Sequence, residues 1–187
     1  MLHTKINSFE QKLAYHSAPV LLGIKPANLI PIKKDDEIVI DKLNNSLIKK
    51  GIKIKTVCHC TNRKLILVYN EKMLDAMVTE KSRRNLLENY GYNCNSSLEF
   101  ILNNLAERIF ESSDFPHEIG IFLGYPIEDV VGFINNKGEN FKLCGYWKVY
   151  GDENKAKITF DIYNKCRKFL CNKLNQGYDI CEALRIS

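Results

Sequence analysis

The sequence predicts an α+β fold: one helix-rich globular domain over residues 1–187, with a small, mainly antiparallel sheet. Three observations lead there. "IKIKTVCHC" and "RKLILVYN" are strand-like runs that face each other across Thr61-Asn62, as the arms of a hairpin do. "SSLEFILNNLAERIF" and the stretch after Asp152 repeat apolar residues at helical spacing. A chain of 187 residues, 45% hydrophobic and 26% charged, has the size and composition to bury its own core.

The elements follow in order. Residues 5–15 fit a short amphipathic helix with Ile6, Phe9, Leu13 and Ala14 on one face. "SAPVLLGIKPANLIPI" is apolar but punctuated by Pro19, Gly23, Pro26 and Pro31, which predicts a short strand and then a turn of helix starting at Pro26. "DKLNNSLIKKG" reads as a helix with Leu43 and Leu47 inward, closed by Gly51. In the first hairpin arm Ile52, Ile54, Thr56, Cys58 and Cys60 alternate onto one face. The second arm is continuously apolar, as a central strand is. "EKMLDAMV" and "KSRRNLLENYG" read as short helices. The helix after them is expected to open on a Ser96–Glu99 capping box and to bury Leu98, Ile101, Leu102, Leu105, Ile109 and Phe110. "NFKLCGYWKVYG" reads as a strand, or as a hairpin broken at Gly145. A long helix capped by Asp152 then buries Ala156, Phe160, Tyr163, Cys166, Leu170 and Leu174, and a short one takes up Ile180 and Leu184.

Composition narrows the function classes. No apolar run approaches the ~20 residues that span a bilayer, and the first residues lack the apolar centre of a signal peptide. A cytoplasmic protein with no membrane partner is expected. Seven cysteines make an odd, scattered set, which suits buried thiols in a reducing compartment better than a disulfide framework. The net charge of +5 is carried mainly by dispersed lysines. Arginine, shaped for bidentate phosphate and guanine contacts, is scarce, so a nucleic-acid partner is disfavoured.

The chemistry concentrates in "FPHEIGIFLGYPIEDV", Phe115 to Val130. His117-Glu118 lacks the second histidine four residues on that a zinc-protease helix needs; position 121 is isoleucine. Ser113 or Asp114 is expected to cap a helix whose first turn holds Pro116, His117 and Glu118. A neutral imidazole beside a carboxylate there suits proton transfer near neutral pH, although capping and packing are the commoner use of such a pair. Gly120 and Gly124, one turn apart, allow close approach, and Gly124 ends the helix before Pro126 starts the next. Cys58-His59-Cys60 invites a metal, but on a strand the two thiols face away from the imidazole, so no metal site is expected. In "YWKVY", Tyr146, Lys148 and Tyr150 alternate with Trp147 and Val149; aromatics flanking a lysine can stack a ring and hold an anion. Lys25, in "GIKPAN", is an anion anchor or a lysine that snorkels to solvent.

"APVLLGIKPANL", "LVYN", "FPHEIGIFLGYPIEDVVGFI" and "GYWKVYGD", over residues 10–184, together resemble an uncharacterised family of small cytosolic proteins from anaerobic bacteria, a domain of unknown function. The resemblance implies no activity, cofactor or catalytic residue. It points to the same places: Lys25, His117-Glu118, and Trp147 to Tyr150. The leading expectation is therefore a pocket near the His-Glu corner for a small anionic or aromatic ligand, with or without catalysis. Lys25 and Lys148 would hold an anion, Trp147 or Tyr150 would stack, and His117 with Glu118 would orient the ligand or move protons. Two alternatives stand beside it: a non-catalytic adaptor module for protein or nucleic acid, and a thiol- or metal-handling protein built on Cys58 and Cys60.

Overall fold

The computed structural model describes residues 8–33, 36–60, 63–111 and 115–186, with the side chains of all but residues 8, 59, 60 and 63. Three apolar runs pair into one antiparallel sheet. They are β1 (Ala27–Ile32), β2 (Ile52–Cys60) and β3 (Arg63–Asn70), in the order β1-β3-β2. The unbroken apolar run of β3 fits its central place, because both of its faces are covered. Ile66 and Val68 join Ile30, Ile32, Ile52 and Ile54 in one core; Leu67 and Tyr69 join Ala27, Val57 and Cys58 in another.

Helices cover each face. On the first lie α1 (Ser8–Leu21), α2 (Glu37–Leu47), the later turns of α8 (Glu153–Asn175) and α9 (Ile180–Ala183). The second carries α3 (Glu71–Thr79), α4 (Lys81–Asn89), α5 (Leu98–Glu111), α6 (Ile119–Phe122) and the start of α7 (Ile127–Asn135). A third, smaller core of Trp147, Val149, Ala156 and Tyr163 joins a hairpin, β4 (Leu143–Cys144) with β5 (Lys148–Val149), to the first turns of α8. The helix-rich α+β architecture is as the sequence predicts, and so is a hairpin interrupted at Gly145. No helix among the described residues is long and apolar enough to cross a membrane.

Several local expectations are corrected. "SAPVL" is not a strand: α1 runs on through Pro19 to Leu21. Proline cannot donate to the carbonyl four residues back, and that carbonyl, of Tyr15, accepts instead from Arg167 Nε at 2.9 Å. The strand comes after, and its Pro31 is tolerated because β1 is an edge. In β2 the register shifts between Thr56 and Cys58, a β-bulge at Val57. Cys58 is thereby turned to the face opposite Ile52 and Ile54, so the predicted common face is broken. Helix α5 opens one residue later than the predicted box, with Ser97 Oγ accepting from the Phe100 amide, and Phe110 is exposed.

Candidate functional site

The Phe115–Val130 segment folds as two short helices around a sharp turn. Helix α6 ends on Gly124, whose φ of 74° is left-handed backbone that glycine adopts without strain. Pro126 then precedes α7. Position 120 packs as tightly as expected, though against side chains: a Cβ on Gly120 would lie 2.8 Å from Val130 Cγ2. Residues 113 and 114, the predicted caps, lie outside the described residues.

Between this corner and the β4–β5 hairpin lies a cleft of about 340 Å³. Its walls are Phe115, Phe133, Tyr125 and Trp147, with His117 and Lys148 among the polar groups that line it. The rings are ordered by one another. Tyr125 stacks on Trp147 at 4.9 Å between centroids, and His117 meets Phe133 edge-on at 5.0 Å. Lys148 Nζ donates to the Gly138 carbonyl at 2.7 Å and sits 4.9 Å from the Phe141 centroid. It makes no ion pair among the described residues.

Asp129 holds the hairpin against α7. It is 3% exposed. Its Oδ2 accepts from Trp147 Nε1 at 2.7 Å, and its Oδ1 accepts from the amides of Tyr150 and Gly151, each at 2.7 Å. A charge so buried is tolerated when its lone pairs are filled by donors, as here. Sequence reasoning passed over this residue; the available signal was an acid directly before Val130 and Val131 in an apolar helix.

The six predicted site residues do not meet in one place. His117, Trp147 and Lys148 line the cleft. Tyr150 lies behind it, its ring over Gly132 and its hydroxyl donating to the Glu139 carbonyl at 2.9 Å. Glu118 points the other way: it is 2% exposed and accepts from Arg108 Nε at 2.8 Å and from Tyr92 Oη at 3.1 Å. It ties the corner to α5 and does not pair with His117. Burial and the neighbouring Glu118 charge push the Tyr92 hydroxyl far up, so it stays a donor to that carboxylate.

Lys25 occupies a second cleft, of about 190 Å³, on the far side of Tyr125. The turn after α1 puts it there: the amides of Ile24 and Lys25 both bond the Pro19 carbonyl, which directs the side chain inward at the start of β1. Its amine donates to Asn28 Oδ1 at 2.6 Å and lies 5.3 Å from the Tyr125 centroid and 5.7 Å from that of Tyr163. Burial lowers its pKa to about 7.

Among the described residues no group of three or more His, Cys, Asp or Glu could hold a metal. Cys58 is buried on the sheet, and the side chains of His59 and Cys60 lie outside those described.

A family model described as "Protein of unknown function (DUF3793)" matches residues 13–184. No curated protein and no solved structure matches the chain.

Proposed function

The chain belongs to the DUF3793 family of proteins of unknown function, and from the geometry of the larger cleft we propose that it binds a small aromatic anion between the His117 corner and the β4–β5 hairpin. The observation that carries this is the composition of the cleft wall: four aromatic rings around about 340 Å³, with the Lys148 ammonium, which has no ion pair among the described residues, while the one carboxylate in the lining, Asp129, is already filled by its three donors. That volume is in the range of small-molecule sites, which are mostly apolar with a few convergent polar groups. A flat ring would pack against the aromatic wall that Phe133 and Trp147 help to form. Its acidic substituent would meet Lys148, which has two N–H groups left after its bond to Gly138. His117 at the rim adds a second donor.

Trp147 is the chain's sole tryptophan, so emission excited selectively at tryptophan, beyond the absorption of the nine tyrosines, reports on the wall of this cleft. Titration with benzoate and 4-hydroxybenzoate should change that fluorescence saturably, and benzyl alcohol should bind more weakly. Lys148→Met should lower affinity for the acids about tenfold, the worth of one charge-assisted hydrogen bond at about 1.4 kcal/mol. No saturable change with any of these compounds at millimolar concentration would overturn the proposal.

A further inference from the structure

The second cleft has a different chemistry. Its lining includes Lys25, His16, Asn28, Arg167 and three tyrosines, and no carboxylate. Lys25 is 3% exposed and its amine makes no ion pair among the described residues; the amine's partners are an amide oxygen and the faces of two rings. Arg167 commits Nε to the Tyr15 carbonyl and lies 4.2 Å from the Tyr15 centroid and 5.1 Å from that of Tyr146. That fixes its plane and leaves the terminal nitrogens without an ion pair among the described residues. A buried amine and a fixed guanidinium lining one small cleft suit a ligand that has a carbonyl and a carboxylate next to each other.

We propose that Lys25 is a nucleophilic amine that condenses with a small α-oxo acid, whose carboxylate is received by Arg167. The nitrogen lone pair attacks the carbonyl carbon and the C–N bond forms, the carbonyl electron pair becoming a hydroxyl. The C–O bond then breaks. Both protons of the amine leave with that oxygen as water, and an imine remains. The reaction needs the amine in its neutral form. Burial supplies that condition near neutral pH, as it does for other desolvated lysines. His16 lines the same cleft, and burial and the Arg167 charge hold its imidazole below the usual range. Neutral, it can carry the proton from nitrogen to the departing oxygen. The tyrosine hydroxyls stay protonated: burial raises the pKa values of Tyr125, Tyr146 and Tyr163. A cleft of about 190 Å³ admits a ligand of only a few heavy atoms. This site shares Tyr125 as a wall with the aromatic cleft but does not rest on that reading.

The test is reductive trapping on the wild-type protein, so no variant has to fold. The protein is incubated near neutral pH with glyoxylate, or separately with acetaldehyde, in the presence of cyanoborohydride, and modified lysines are mapped by peptide mass spectrometry. Labelling of Lys25 is divided by the mean labelling of exposed lysines with the same probe. The expected result is preferential modification of Lys25 by glyoxylate, with a ratio about tenfold higher than with acetaldehyde because only glyoxylate carries a group for Arg167. Lys25 left unmodified while exposed lysines react would overturn the proposal, and so would equal ratios for the two probes.

Discussion

Asp129 shows how one side chain in the wall of a cleft can hold that cleft together. Three donors converge on a carboxylate that is 3% exposed, and two of them are backbone amides of the residues that follow β5. Asp129→Ala strands all three at a cost of about 1–3 kcal/mol each, so a loss of at least about 3 kcal/mol is expected in urea denaturation, with Trp147 emission shifted to the red. Asp129→Asn keeps an acceptor for the two amides but can turn a donor toward Trp147 Nε1, and should lose about half as much. An unchanged urea midpoint in both would mean that the hairpin is held by its rings. The sequence drew attention to Glu118 because it adjoins His117, yet its partner Arg108 lies ten residues upstream, on α5. Nothing in the local pattern announces such a partner. Lys25 was legible as unusual, a lysine between a glycine and a proline in an apolar stretch, but its burial depends on three tyrosines from distant elements. Its pH dependence has a definite sign. The folded pKa, about 7, lies below the 10.5 ordinary for a lysine, so between these the unfolded chain holds the extra proton and stability rises with pH. Below about 7 both forms are protonated and the full cost of burying the charge is present. Lys25→Met should therefore be most favourable relative to wild type near pH 6. That advantage should shrink toward pH 9, by at most ~1.4 kcal/mol per pH unit. A difference independent of pH would mean that the buried amine is not desolvated as described.

At the scale of elements, periodicity identified most helices, because their buried faces recur at i, i+3 and i+4 whatever they pack against. It failed where a long-range contact offset a local penalty. Pro19 argued for a break in α1, and the break is absent because Arg167, on α8, takes up the Tyr15 carbonyl that the proline leaves free. The β-bulge at Val57 was equally hidden, since an inserted residue is visible only against its partner strand. Helix α7 offers a test in which propensity and packing disagree. Gly132 lies in its interior, where alanine is favoured by ~1 kcal/mol. A Cβ built there, however, would come within 2.5 Å of Tyr150 Cβ, and a ring rotation cannot relieve a clash so close to the main chain. Gly132→Ala is expected to be a net destabilisation of about 1–3 kcal/mol, read as a lower melting temperature, and to weaken ligand binding in the adjoining cleft. Stabilisation by the propensity difference would mean that the hairpin shifts on α7 without cost.

Across the whole molecule the three cores are unequal. The sheet lies between two large clusters, whereas the cluster that carries Trp147 has four buried members among the described residues, and its strands are two residues each. A two-stranded hairpin has little stability of its own. This one rests on the Asp129 carboxylate, on Phe160 and on the ring stack with Tyr125. The sequence offered the hairpin beside a single strand and could not rank it, because rank depends on how much surface each element covers after folding. Segments with few buried contacts open at lower free energy than the core. In urea, Trp147 fluorescence should therefore change at a lower concentration than the helical signal in circular dichroism, and amides 142–150 should exchange hydrogen faster than those of β3. A ligand in the aromatic cleft binds only the closed hairpin, so it should move the fluorescence midpoint up toward the dichroism midpoint, by RT ln(1 + [L]/Kd) in free energy. Coincident transitions in the free protein would show instead that the hairpin unfolds with the sheet. The cleft would then be as rigid as the core, and ligand would raise both midpoints together.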